Sequence, residues 1–291
     1  MRFLFTIIVS NFLSQVIVGQ VIYSGFIGKY PIELVTDIYS DGVARAVYMY
    51  KKFNDPIVID GKRSNHKLVL SEQIRDSTTL TFDNFDGNKD SINGTWADAK
   101  SKKQLPISLK REYEINDGES IEWSGKEILQ PTSLKDYYFK IVASKKKGDF
   151  AAKATGVKIL RKKADSLIQE IDLDCQLMGL DNISVGDFNF DGIPDFAVFE
   201  QSHAGPNTSS LYFLYDIKSK QFYNSGFLGV SLEFDQESKT IFERNSSAAG
   251  TMQTTAEYKV IKNKMVLLKQ HCYIWSEKKQ DLVEHKMKDC Q

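Results

Sequence analysis

GDFNFDGIPDFAVFE, residues 186–200, places Asp187, Asn189 and Asp191 on alternate positions, turns at Gly192, adds Asp195 and runs into the apolar segment FAVF. Numbered as a calcium loop, these residues take positions 1, 3, 5 and 9, with the turn glycine at 6 and the carbonyl of Ile193 at 7. The spacing has a chemical reason. A calcium ion takes about six to eight hard oxygens, and alternate side chains of a tightly wound loop point at one centre. Glycine allows the sharp turn. Three carboxylates converging without a cation repel one another, so a bare turn is the poorer reading. Position 12 is Val198 where a helix–loop–helix site needs a bidentate Glu, and strand-like runs flank the loop, NISV before it and FAVF after it. The loop therefore joins two β-strands, and the fold to expect around it is all-β.

Working outward, residues 20–110 read as short strands between polar turns: PIELVTDIY, VARAVYMYKK, PIVIDGK, HKLVLSEQ, TTLTFDNF, SINGTWAD and KQLPISLKR. Alternating apolar and polar residues, with Asp41-Gly42 at a tight turn, predict an N-terminal antiparallel β-meander or half-barrel domain. Residues 111–136 carry Gly118, Gly125 and Pro131 and show no sustained period, which reads as a connector. Strands resume at 137 and continue to 291. VKILRKKADSLIQEID has the composition of a helix, yet its alternation fits a hairpin about KKAD. Lys145–Lys147 reads as a solvated turn, and FDNFDGNKD, lacking a first carboxylate at Phe82, as a plain turn without metal.

The first 19 residues, MRFLFTIIVSNFLSQVIVG, have one early Arg, a short interrupted apolar run and a small residue at Gly19, the layout of a cleaved signal peptide. No Cys lies near that junction, so a lipid anchor is not indicated, and a periplasmic or secreted protein without a transmembrane segment after processing is expected. Export permits oxidation. Cys272 and Cys290 can then close a disulfide loop and leave Cys175 free; three reduced, buried cysteines are the alternative. The chain balances 38 basic against 38 acidic residues, which gives no footprint for nucleic acid. Four dispersed His and the absence of HExxH, CxxC, GxSxG and phosphate-loop patterns point to a non-enzymatic protein.

With these residues in view, the segment from Tyr137 to Gln270 resembles a family of secreted and periplasmic bacterial calcium-binding proteins. The resemblance is carried by VGDFNFDGIPDFAVFE, AGPNTSSLYFLYDIKSKQFYNSGFLGVSLEFDQESKTIF and TAEYKVIKNKMVLLKQ. It implies a β-propeller-like domain with an inter-strand calcium loop. It further implies kinship with immunity proteins that protect bacteria from peptidoglycan-cleaving effectors of a type IV secretion system and inhibit lysozyme. Pro206 in Gly205-Pro206-Asn207 departs from the family pattern, in which Gly is followed directly by Asn. The N-terminal part is similar to a segment recurring in secreted bacterial proteins, through YMYKK, PIVIDG, LVLSE, INGTW and KQLPISLKR. The expected function is inhibition of a peptidoglycan hydrolase or lysozyme-like partner. His203, Asn207 and Tyr212 would enter the carboxylate-lined cleft from a segment that adjacent calcium holds rigid. The alternative expectation is a calcium-stabilised surface module that binds carbohydrate or protein.

Overall fold

Period-two patterning extends through almost the whole chain, and the computed structural model, which describes residues 18–72, 78–115 and 120–290, turns it into strands linked by short turns. Eight of them close an antiparallel barrel. These are β1 Val18–Ile27, β2 Tyr30–Ile38, β3 Val43–Tyr50 and β4 Ile57–Ser64, then β5 Lys67–Glu72, β6 Thr78–Phe82, β7 Ser91–Asp98 and β8 Lys103–Ile115. The half-barrel expectation is thus corrected to a closed one: β1 pairs with β8 as well as with β2, setting Tyr23 opposite Arg111 and Gly25 opposite Leu109. At that seam Gly25 has φ +157°, and a Cβ there would stand 2.2 Å from the Ser108 carbonyl oxygen, so only glycine lets the two strands approach.

Three antiparallel sheets follow in chain order. The second sheet holds β9 Trp123–Ser133, β10 Tyr137–Lys145, β11 Lys153–Arg161 and β12 Ser166–Gln176. The third holds β13 Ile183–Gly186, β14 Asp195–Ser202, β15 Thr208–Asp216 and β16 Gln221–Asn224. The fourth holds β17 Glu233–Asp235, β18 Thr240–Ser247, β19 Met252–Ile261, β20 Lys264–Ser276 and β21 Asp281–His285. The hairpin read about KKAD is the β11–β12 turn, with Arg161 opposite Ser166. Residues 111–136, read as a connector, contain the end of β8 and all of β9, with 116–119 outside the described residues. Most of the expected signal peptide also lies outside them, and Gly19 is the second residue of β1. Among the described residues no helix is long and apolar enough to cross a membrane.

The layers pack in series. Tyr23, Leu34, Tyr48, Leu70, Phe82 and Ile107 fill the barrel interior. Val35, Val47 and Met49, on the opposite face of β2 and β3, meet Ile128, Leu129 and Tyr138 of the second sheet. That sheet turns Phe139, Ile141, Val157 and Ile159 toward Phe196, Val198 and Phe213 of the third. The third in turn packs Ala197, Tyr212 and Leu214 against Ile241, Phe234 and Tyr258 of the fourth. A strand covered on both faces has no reason to keep a polar side, which is why FAVF and LYFL read as continuous apolar runs. Cys272 of β20 is joined to Cys290, in a short 3-10 turn after β21, by a disulfide, while Cys175 is free and buried.

Candidate functional site

Pairing of β13 with β14 brings Gly186 opposite Asp195 and leaves Asp187–Pro194 as the connecting loop. Phe190 (φ 63°) and Gly192 (φ 87°) reverse the chain there. The acidic side chains hold that reversal by accepting backbone hydrogen bonds. Asp187 Oδ1 accepts from the Asp191 amide at 3.0 Å and Oδ2 from the Gly192 amide at 2.7 Å. Asp191 Oδ1 accepts from the Ile193 amide at 2.8 Å. Asn189 donates to Asp191 Oδ2 at 2.8 Å and to Asn263 Oδ1 at 3.1 Å. Asp195 is only 1% exposed, and it accepts from the amides of Phe188 at 3.0 Å and Tyr215 at 2.9 Å. Burial pushes its carboxyl up to about 6; those two amide bonds pull the other way, and Asp191 and Asp187 add to the rise by like-charge repulsion.

The loop also fastens the third sheet to the fourth. Gln236 donates to the Asp187 carbonyl at 2.8 Å, and Asn263, in the β19–β20 turn, bridges Asn189 and the Tyr223 hydroxyl. Phe188 and Phe190 of the same loop pack on Phe234. Sequence reasoning missed Asn263: IKNK marks a hairpin tip but says nothing of which loop that tip reaches.

Among the described residues no three or more His, Cys, Asp or Glu side chains form a cluster that could hold a metal ion. The donors in the loop are nevertheless all oxygen. A carboxylate oxygen that accepts one amide hydrogen bond keeps a second lone pair, so the loop's chemistry fits a hard cation, although its side chains are now turned onto backbone amides.

Two of the expected partner-binding residues, His203 and Asn207, lie elsewhere. His203–Asn207 joins β14 to β15 at the end remote from Asp187–Pro194, and eight residues of strand separate the two loops by roughly 26 Å. The expectation that calcium stands beside this segment is therefore corrected. His203 is exposed, with Nε2 3.0 Å from Ser209 Oγ. Asn207 is buried: Nδ2 donates to the carbonyls of Ala204 (2.9 Å) and Ser246 (2.6 Å) and to Asn245 Oδ1 (3.1 Å), and Oδ1 accepts from the Ser246 amide (3.0 Å). Tyr212 is buried too, packed on Phe188 at 5.0 Å and Phe234 at 4.9 Å, and burial pushes its phenol up to about 12. Neither residue faces outward, so the surface of this segment is His203–Pro206, and Asn207 is its brace to β18. The reading of Lys145–Lys147 changes in one member: Lys145 is buried and its ammonium donates to the Asp149 carbonyl, while Lys146 and Lys147 are exposed.

No protein-family model matches the sequence, and no curated protein sequence matches it. Among solved structures, a Xanthomonas type IV secretion system related protein aligns at 12% identity and a TM-score of 0.28, covering 92% of this chain and 99% of that one. The β-propeller domain of the trilobed protease from Pyrococcus furiosus aligns at 10% identity and a TM-score of 0.24, covering 91% and 83%. A protein from Lactobacillus plantarum aligns at 11% identity and a TM-score of 0.23, covering 92% and 95%. Likeness at this level carries no argument about activity.

Proposed function

We propose that this chain is an exported, non-enzymatic binding protein that presents the His203–Pro206 loop to the cleft of a peptidoglycan-cleaving glycosidase and blocks it. The supporting observation is the brace at Asn207. Its four hydrogen bonds, three of them to β18, hold an exposed loop at its base. A loop fixed in advance loses less conformational entropy on entering a cleft than a mobile one. Assay of the purified protein against a panel of peptidoglycan hydrolases tests this. Inhibition is expected to weaken about tenfold for His203→Ala and for Asn207→Ala, the first by losing a contact and the second by freeing the loop, and to stay unchanged for Lys146→Ala and Lys147→Ala. The reading fails if no hydrolase is inhibited, or if the lysine changes matter and the loop changes do not.

In the same proposal the third sheet carries a β-propeller-like calcium loop, with Asp187, Asn189, Asp191, Asp195 and the Ile193 carbonyl as ligands. The ion would neutralise the converging carboxylates and stiffen the junction between the third and fourth sheets. Calorimetry is expected to find one calcium per chain and at least about tenfold weaker binding in Asp191→Ala; equal binding by both removes the assignment. Because the two loops lie at opposite ends of β14, chelation should lower the melting temperature while leaving inhibition intact at temperatures where the chain stays folded.

A second reading, a surface module for carbohydrate, is favoured by one feature of the fourth sheet. His271, Tyr273 and Trp275 share a face of β20, and the rings of His271 and Tyr273 stack at 6.1 Å, a row on which sugar rings can lie. Retention on glycan without inhibition of any hydrolase would select it.

A further inference from the structure

Glu72 ends β5 at the mouth of the barrel, where it is only 8% exposed. The Tyr48 hydroxyl donates to its Oε1 at 2.6 Å, and no Lys, Arg or His among the described residues pairs with it. The phenol hydrogen bond satisfies one lone pair, and among the described residues no cationic side chain meets the rest of the carboxyl group. Burial and the bond to Glu72 both hold the Tyr48 phenol far above its ordinary range, so it remains a donor.

Glu72 forms part of the wall of a cavity of about 610 Å³ between the β3–β4 connection and the second sheet. Tyr50 and Phe53 supply aromatic surface, Ile57 and Pro131 apolar surface, and Asp55 a second carboxylate. Tyr50 is itself set by edge contacts with Tyr48 at 5.6 Å and Tyr30 at 6.2 Å. Asp55 has its cation already, Lys162 Nζ at 2.5 Å, and the Lys163 amide donates to the Phe53 carbonyl at 3.1 Å, so the second sheet pins the rim. The described residues that line the cavity include no cationic side chain, but Lys52 Nζ stands over the Phe53 ring at 5.7 Å, which leaves Tyr50 as the ring without a cation on it. The wall therefore combines a carboxyl group that no described cation meets with aromatic and apolar surface.

From this juxtaposition we propose that the cavity binds a small organic ammonium ion, whose charge meets Glu72 and whose carbon groups lie against Tyr50. Aromatic faces attract such cations and the carboxylate supplies the counter-charge. An uncharged ligand would leave Glu72 as it is. This site is independent of the His203–Pro206 loop, so failure of either proposal leaves the other standing.

Calorimetry on the full chain at matched ionic strength tests the proposal with choline, cadaverine and 3,3-dimethylbutan-1-ol, the neutral carbon counterpart of choline. At least one of the two cations should bind about tenfold or more tightly than the neutral alcohol. Glu72→Gln keeps an acceptor for Tyr48 and removes the charge; it should weaken that binding about tenfold or more, and Tyr50→Leu should weaken it several-fold. Preference for choline assigns the larger share to the Tyr50 ring, and preference for cadaverine to the carboxylate; both support the site. Equal binding of the neutral alcohol, no binding of either cation to the folded wild-type chain, or unchanged binding in Glu72→Gln overturns it. Should Glu72→Gln fail to fold, Tyr50→Leu and the neutral alcohol decide between the same outcomes.

Discussion

Phe196→Ala lowers the stability of the chain by about 3–5 kcal/mol, the cost of emptying a fully enclosed aromatic site. Phe196 is wholly buried and stands where the second and third sheets meet. It stacks on Phe213 at 4.9 Å and 12°, meets Phe222 edge-on at 4.9 Å and contacts Phe139 of the second sheet at 5.0 Å. Truncation removes the partner of three rings at once, and those rings belong to strands pinned in two sheets, so the gap cannot close by moving one of them. Urea unfolding of the variant beside the wild type measures the loss. Phe150→Ala is the control, since that ring is 87% exposed and its removal should change stability by less than about 0.5 kcal/mol. A loss below about 1 kcal/mol for Phe196→Ala would mean that the two sheets are not held together through this cluster.

Removing the Cys272–Cys290 disulfide is the second large effect. The bridge closes a loop spanning 18 positions, for which the chain-entropy account gives about 3 kcal/mol. Cys272 is fully buried on β20, and the bridge ties the 3-10 turn Met287–Cys290 back across the sheet. Cys290→Ser should therefore lower the melting temperature, and reductant should lower that of the wild type but not of the variant. Alkylation after denaturation counts the thiols directly: one adduct without reductant and three with it. In the native chain Cys175 should resist alkylation, because it is buried and burial pushes its thiol up to about 11. A melting temperature equal in Cys290→Ser and wild type would show that the bridge adds nothing to the fold.

Strands were legible because their signal is local. The turns at Asp41-Gly42 and at KKAD, and the alternation of TTLTF and SINGTWAD, each need only a handful of neighbouring residues. Closure of the barrel was not legible, since it depends on β1 meeting β8 across most of a domain, and no short pattern encodes that pairing. Pro131 helped to hide β9: proline removes a ladder donor, yet β9 lies at the edge of its sheet, where the loss is tolerated. The acidic loop was visible by spacing, whereas the burial of Tyr212 and Asn207 follows from the fourth sheet lying against the third. Glu72 in LVLSE looked like any polar residue at a strand end; its burial against the Tyr48 hydroxyl follows from the packing of β3 and β5 in the closed barrel.

The barrel seam has a further consequence for how the chain is assembled. During synthesis β1 emerges before β2 and can pair with it at once, but its other edge stays open until β8 has been made, whereas each later sheet pairs strands adjacent in sequence. An open edge carrying VIYSGFI is a template for other chains until it is covered. The hazard of misassembly at the barrel thus falls in the interval between the making of β1 and of β8, and a chaperone that shields that one edge would guard the closing of the barrel.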